Sequence, residues 1–261
     1  MKKDMVIGLG EIGLPIYKII SKHFPVEGID INPILNKEKS SLKNHDVAFI
    51  HFCIPFSKNF FNIIKKYEKK IQPEAIVIHS TISPKTTEKL QKMIKSPVIY
   101  SATRGVHKRM ISDLKRYTKF YSVYNSATKS KYVSKMYEQR MKKCGIKTKK
   151  LSNPLTLELA KIVVDTSYYG WLINYAQMSK MITIKHNVSY DEMWQFSDEI
   201  HKYLGNRPKM FPGIIGGHCV IPNLDLMQNQ TLNLIKSLNQ HYSKKVRNSK
   251  TIHKKYQGIK K

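Results

Sequence analysis

In the first half of the chain, short apolar runs alternate with segments whose apolar residues recur at helical spacing. MVIGLG (5–10), VEGID (26–30), DVAFIHFCI (46–54), AIVIHS (75–80) and PVIYS (97–101) read as strands, and KFYSVY (119–124) as a sixth. Helical patterns lie between them at about 14–22, 58–70, 85–94 and 129–143. This alternation is the signature of stacked βαβ units, in which crossover helices cover both faces of a parallel sheet.

From residue 153 the pattern changes. NPLTLELAKIVVDTSYYGWLINYAQMSKMITIKHN (153–187) keeps helical spacing without strand punctuation, and Asn153 followed by Pro154 is a good helix start. SYDEMWQFSDEIHKYLG (189–205) opens on a serine cap and closes on glycine, predicting a second helix. LDLMQNQTLNLIKSLNQ (224–240) predicts a third. The remainder, 241–261, is basic and poor in aliphatic residues, which predicts a frayed tail. The domains expected are therefore a sheet domain over 1–150, a helical domain over 151–240 and a basic tail over 241–261.

Composition narrows the function classes. A formal charge of +28 over 261 residues favours anionic partners. Lysine outnumbers arginine and is spread along the whole chain, so the charge is also what a lysine-biased composition gives without any nucleic-acid role. The three cysteines, Cys53, Cys144 and Cys219, are too scattered for a disulfide framework or a zinc site, which points to a reducing, cytoplasmic setting. The longest weakly charged window, 162–179, contains Asp165 and several polar side chains, so no membrane span is expected.

GLGEIG (8–13) fits GxGxxG between an apolar strand and a helix, where backbone amides and the helix N-terminus can face a pyrophosphate. In that reading Gly8 allows the tight turn, Gly10 lets the phosphates approach, and Gly13 lets the helix pack closely on the sheet, with Glu11 and Ile12 between them. Asp30, about 20 residues on, is placed to accept hydrogen bonds from a ribose and to repel a 2′-phosphate, so the expected cofactor is NAD. The fold class is then α/β: a Rossmann-type, doubly wound, mostly parallel sheet followed by a smaller all-helical domain.

GLGEIGLP, VEGIDIN, DVAFIHFCIP, HSTISPKTTEKL, LELAKIVVD and FPGIIGGHC stand in the order found in the UDP-glucose/GDP-mannose dehydrogenase family, which the chain resembles over about residues 4 to 240. The family's third domain, which helps bind the nucleotide sugar, has no counterpart here. The resemblance implies NAD-dependent oxidation of a sugar hydroxyl, with Cys219 as nucleophile, Lys161 as electrostatic or basic group, and Thr81 holding a water beside the nicotinamide. It also implies cofactor contacts from Ser80, Thr81 and Pro55, a homodimer formed through the long central helix, and a nucleotide-sugar or other anionic sugar substrate. Cys53 reads as core, and His218 is not expected to act as a base for its neighbour Cys219.

Three positions depart from the family's pattern. Asp165 stands four residues after Lys161, where the family usually carries asparagine; the pair reads either as part of the site or as a helix-surface ion pair. Thr103 falls near the place of an acid–base glutamate, with no carboxylate following until Asp113. Asn223 replaces an aspartate, and Asp225 could stand in for it only if the loop shifts. Full four-electron oxidation, a two-electron oxidation and an impaired NAD-binding protein with a polyanion-binding surface all remain open.

Overall fold

The computed structural model describes residues 2–37 and 47–248; Asp46 at the head of the third expected strand and residues 249–261 of the expected tail lie outside them. The chain divides into two compact units, Met1–Lys161 and Ile162–Lys261. The fold is α/β and Rossmann-like, with a helical region after the sheet.

The first unit carries a seven-stranded sheet in the order β2-β1-β3-β4-β5-β6-β7. Its strands are β1 (Lys3–Ile7), β2 (Val26–Ile29), β3 (Val47–Phe52), β4 (Ala75–Ile78), β5 (Val98–Tyr100), β6 (Lys119–Val123) and β7 (Thr148–Lys150). All neighbouring pairs run parallel except β5 and β6. The strand period of two sorts the side chains onto two faces. Val6, Phe49, Val77, Ile99 and Tyr121 face α1 (Gly13–Ile20), α4 (Met110–Arg116) and α5 (Ser130–Lys143). Met5, Ile50, Phe52, Ile76, Ile78 and Tyr100 face α2 (Phe60–Ile71) and α3 (Thr86–Met93). With both faces covered, β3 and β4 are buried at every position, which is why they read as unbroken apolar runs.

The sequence pattern misses α4 and β7. Asp113 accounts for the first: its buried carboxylate accepts from the Val106 amide at 2.9 Å and from Arg109 Nε at 3.1 Å, folding a segment that is mostly basic and weakly patterned. The second, TKK, carries no apolar residue and forms only at the sheet edge beside β6.

The helical run that begins at Asn153 differs from the regular helix its spacing predicts. Asn153 accepts from the Leu155 amide at 2.9 Å and Pro154 opens α6 (Pro154–Leu159), but Ala160–Ser167 then forms wide π-type turns before α7 (Tyr168–His186). The β-branched Ile162, Val163, Val164 and Thr166 crowd regular turns, and Ser167 Oγ donates back to the Val163 carbonyl at 2.6 Å.

In the second unit α8 (Tyr190–Leu204) starts on Ser189, whose hydroxyl accepts from the Glu192 amide, and stops at left-handed Gly205. The third expected helix is displaced. A short turn, α9 (Ile221–Leu224), is followed by α10 (Gln230–Asn248), whose start is fixed by Asn229 accepting from the Leu232 amide. Residues 241–248, expected to fray, continue this helix, because Tyr242 turns inward and donates to the Pro212 carbonyl. Ile162, Ile215, Val220, Leu224, Leu232 and Ile235 form the unit's core. Among the described residues, no helix is long and apolar enough to cross a membrane.

Candidate functional site

The glycine turn lies at the C-terminal end of β1, next to the end of β2. Gly8 has φ +88°, and a Cβ on it would come within 2.9 Å of the Cys53 carbonyl oxygen. On Gly13 a Cβ would fall 1.7 Å from the Gly8 carbonyl oxygen, so α1 can approach the turn only without a side chain there. Gly10 differs from both: nothing lies within 4 Å of where its Cβ would be. The space over Gly10 is therefore open, and a side chain would occupy it.

Asp30 closes this turn on the β2 side. Its Oδ2 accepts from the Leu9 amide at 2.6 Å and its Oδ1 from the Asn32 amide at 2.9 Å, while its own amide donates to Asn36 Oδ1 at 2.7 Å. Glu11, between the second and third glycines, pairs with His107 Nδ1 at 2.8 Å, linking the turn to the segment after β5. Ile12 packs on the core below.

Ser80 and Thr81 follow β4. The Ser80 hydroxyl donates to the Ile54 carbonyl, joining the exits of β3 and β4; Thr81 is half-buried and Pro55 is exposed. Open space beside Gly10, a carboxylate held by the turn's own amide and hydroxyl-bearing residues at strand exits suit a dinucleotide with free ribose hydroxyls.

The cysteines separate by environment. Burial pushes the Cys53 thiol up to about 12 and the Cys144 thiol up to about 11, which leaves both protonated at neutral pH. Cys219 is exposed. It follows Gly216, which has open space around it, and Gly217 at φ +69°. The loop leading to it has no regular structure, yet four side chains hold it. Gln177 Nε2 donates to the Gly213 carbonyl at 2.7 Å, Tyr190 OH to the Met210 carbonyl at 2.8 Å and Tyr242 OH to the Pro212 carbonyl, while Asn239 bonds both the amide and the carbonyl of Ile215. None of the four stands out in the sequence, since their partners are distant backbone groups.

Lys161 is half-buried at the end of the first unit, and Asp165 is exposed in the second; both lie in the π-type stretch. The remaining departures resolve locally. Asn223 Nδ2 donates to the Cys219 carbonyl at 2.7 Å, a bond that an aspartate could not make. Asp225 pairs with Lys236 Nζ at 2.6 Å. Asp113, held below the usual carboxylate range first by the Val106 amide, is committed to the loop after β5. Thr103 is buried at the exit of β5, with Lys119 Nζ 3.1 Å from its Oγ1.

No protein-family model matches the chain, and no curated protein matches its sequence. Solved structures do. The UDP-D-ManNAc dehydrogenase of Pyrococcus horikoshii aligns at TM-score 0.77 and 17% identity over 94% of this chain and 70% of that one. The UDP-N-acetyl-mannosamine dehydrogenase of Staphylococcus aureus aligns at TM-score 0.71 and 18% identity over 98% and 72%. The 3-hydroxyisobutyrate dehydrogenase of Mycobacterium tuberculosis aligns at TM-score 0.63 and 12% identity over 94% and 92%. At such identities the likeness establishes the Rossmann-like fold and its helical companion.

Proposed function

We propose that the chain is an NAD-dependent oxidoreductase of the nucleotide-sugar dehydrogenase kind, oxidising a hydroxyl of a nucleotide sugar or a smaller sugar-like anion. The observation that carries this reading is the glycine turn, with open space at Gly10 and the Asp30 carboxylate fastened to the Leu9 amide. The likeness to solved dehydrogenases supports it.

Gly8, Gly10 and Gly13 would hold the pyrophosphate against the N-terminus of α1, and Asp30 would take the adenosine ribose, disfavouring a 2′-phosphate. The nicotinamide, when bound, accepts hydride. This chain's residues then bind and orient: Thr81 holds a water at the exit of β4, beside Ser80 and Pro55. Lys161 offers positive charge to a developing alkoxide, with Asp165 on the adjoining turn. Cys219, on a slim and exposed loop, is the thiol available to attack an aldehyde. A net charge of +28 draws anionic substrates. An exposed thiol suits a reducing, cytoplasmic setting. The exposed apolar side chains of α7 and α8 suit a homodimer.

The test is NADH absorbance on mixing the chain with NAD and a panel of nucleotide sugars, with Cys219→Ser as control. NADH from one sugar, reduced or stopped at the aldehyde in the control, supports the reading. No NAD binding by calorimetry would end it.

A further inference from the structure

Lys119 opens β6 and is 5% exposed. Its Nζ reaches three acceptors on the segment leaving β5: the Ser101 carbonyl at 3.0 Å, the Ala102 carbonyl at 3.4 Å and Thr103 Oγ1 at 3.1 Å. The segment is itself braced. Thr103 N donates to the His79 carbonyl at 3.1 Å, Ser101 Oγ to the Phe120 carbonyl at 2.9 Å, and Tyr137 OH to Ser101 Oγ at 3.0 Å. Thr103 thus sits where a parallel strand runs out, the side of such sheets on which ligands gather.

The three contacts are unequal. Two are backbone carbonyls, which only accept, so they claim two N–H bonds whatever the charge on the amine. The third is a hydroxyl, which donates or accepts. With Lys119 as ammonium, its third N–H points at Thr103 Oγ1 and the threonine proton is turned away from the amine as a donor. With Lys119 as neutral amine, its lone pair accepts a hydrogen bond from the Thr103 hydroxyl, and the threonine oxygen is left as an acceptor.

We propose that Thr103 and Lys119 form the proton-accepting pair at the β5 exit, Thr103 touching the substrate hydroxyl and Lys119 acting behind it as the positioning residue that stores the proton. The proposal rests on the oxidoreductase reading and names a group for the carboxylate-free place after β5. In the step, the substrate O–H breaks and its proton passes to Thr103 Oγ1. The Thr103 O–H breaks in turn, and that proton forms the third N–H of Lys119. The substrate oxygen keeps its electron pair as alkoxide, and the neutral amine becomes ammonium.

The surroundings suit this exchange. Burial foremost lowers the Lys119 amine to about 7; Cys53 at the β3 exit opposes the shift, while Lys161 and Arg104 add to it. Two further titratable groups lie near, His79 at the β4 exit and Tyr137 on Ser101, and burial foremost keeps both neutral. An amine poised near neutrality has both forms available where it works.

Two readouts on the full chain test the pair. NMR of the chain labelled at lysine Cε and Nζ should show one lysine titrating near 7, absent in Lys119→Met, shifted in Thr103→Val and retained in Thr103→Ser. The pH profile of NADH formation should carry a limb near that value, with kcat lowered roughly 10²–10⁴-fold in Lys119→Met and Thr103→Val, KM little changed, and activity rescued in Thr103→Ser. Lys119 titrating above 9, or wild-type kcat in Thr103→Val, overturns the pair and leaves the oxidoreductase reading intact. Absence of NADH with every substrate overturns that reading and the pair's use in it, while the lysine titration still reports whether the pair exchanges a proton.

Discussion

Asp30 Oδ2 accepts the Leu9 amide proton at 2.6 Å, so the carboxylate at the end of β2 is positioned by the same turn that leaves space at Gly10. Each carboxylate oxygen has a second lone-pair direction for a ribose hydroxyl. Hydrogen bonds to a charged group contribute about 1.5–3 kcal/mol, so Asp30→Ala should weaken NAD roughly 10- to 100-fold. It should also narrow the preference for NAD over NADP. Titration calorimetry with both dinucleotides measures this; unchanged NAD affinity would remove Asp30 from the site.

The glycines of the turn separate folding from binding. Gly13→Ala puts a methyl group 1.7 Å from the Gly8 carbonyl oxygen, and overpacking commonly costs about 1–3 kcal/mol or more, so the first unit should lose stability. Gly10→Ala meets nothing within 4 Å and should leave the denaturant midpoint of the ligand-free chain within error, yet reduce NAD affinity. Urea melts and calorimetry on the two variants distinguish these outcomes.

Buried amines and imidazoles set a slope of stability with pH. Burial drives the His79 pKa well below 6.5, and the Lys119 pKa falls from 10.5 to about 7. Both groups bind more protons in the unfolded chain than in the folded one, so both make stability rise with pH. His79 acts as pH falls below 6.5, where the fold must hold it neutral, while Lys119 acts between about 7 and 10.5. Between pH 7 and 8.5 the Lys119 contribution approaches about 1.4 kcal/mol per pH unit. Cys53 and Cys144 add the opposite slope as pH rises toward 9, where their thiols ionise in the unfolded chain but stay protonated in the fold, so the range to read is pH 7 to about 8. Urea midpoints across it should climb in the wild type and flatten in Lys119→Met; equal slopes would show that Lys119 has an ordinary pKa.

The thiols give a chemical check on the loop. Cys219 is exposed, whereas burial holds Cys53 and Cys144 protonated. Iodoacetamide at pH 8 should add one equivalent to the folded chain, all on Cys219, and three after denaturation. Peptide mapping reads the sites. Early modification of Cys53 would contradict the packing at the β3 exit.

Most of the sheet is legible in the sequence, because strands such as VAFIHF and AIVI are buried on both faces and have no polar alternation to confuse them. Gly8 and Gly13 are legible as well, since the close approaches they permit follow from their spacing. The rest depends on pairs far apart in the chain. Lys119 reads as the polar edge of a strand until its bond to Thr103 is seen, and Gln177 and Asn239 read as helix-surface amides until Gly213 and Ile215 lie against them. The π-type turns at Lys161 are invisible to a 3.6-residue template, which registers only that the apolar spacing continues.

The sequence places the expected homodimer on the long central helix, and α8 offers a second apolar surface for it. Met193, Phe196, Ile200 and Tyr203 recur along α8 at three- and four-residue steps, and all are exposed, Phe196 at 88% and Tyr203 at 73%. Tyr190, Trp194, Ser197 and His201 occupy a different face, where the Trp194 ring meets Tyr175 of α7 edge-on. An apolar row left open at this spacing is what a second helix covers in a knobs-into-holes pairing. If the homodimer forms through α8, Phe196→Asp combined with Tyr203→Asp should convert it to monomer at micromolar concentration without changing the helical circular dichroism signal. Light scattering across a dilution series reads the mass; a wild-type monomer at all concentrations, or a variant that stays dimeric, places the pairing elsewhere or nowhere.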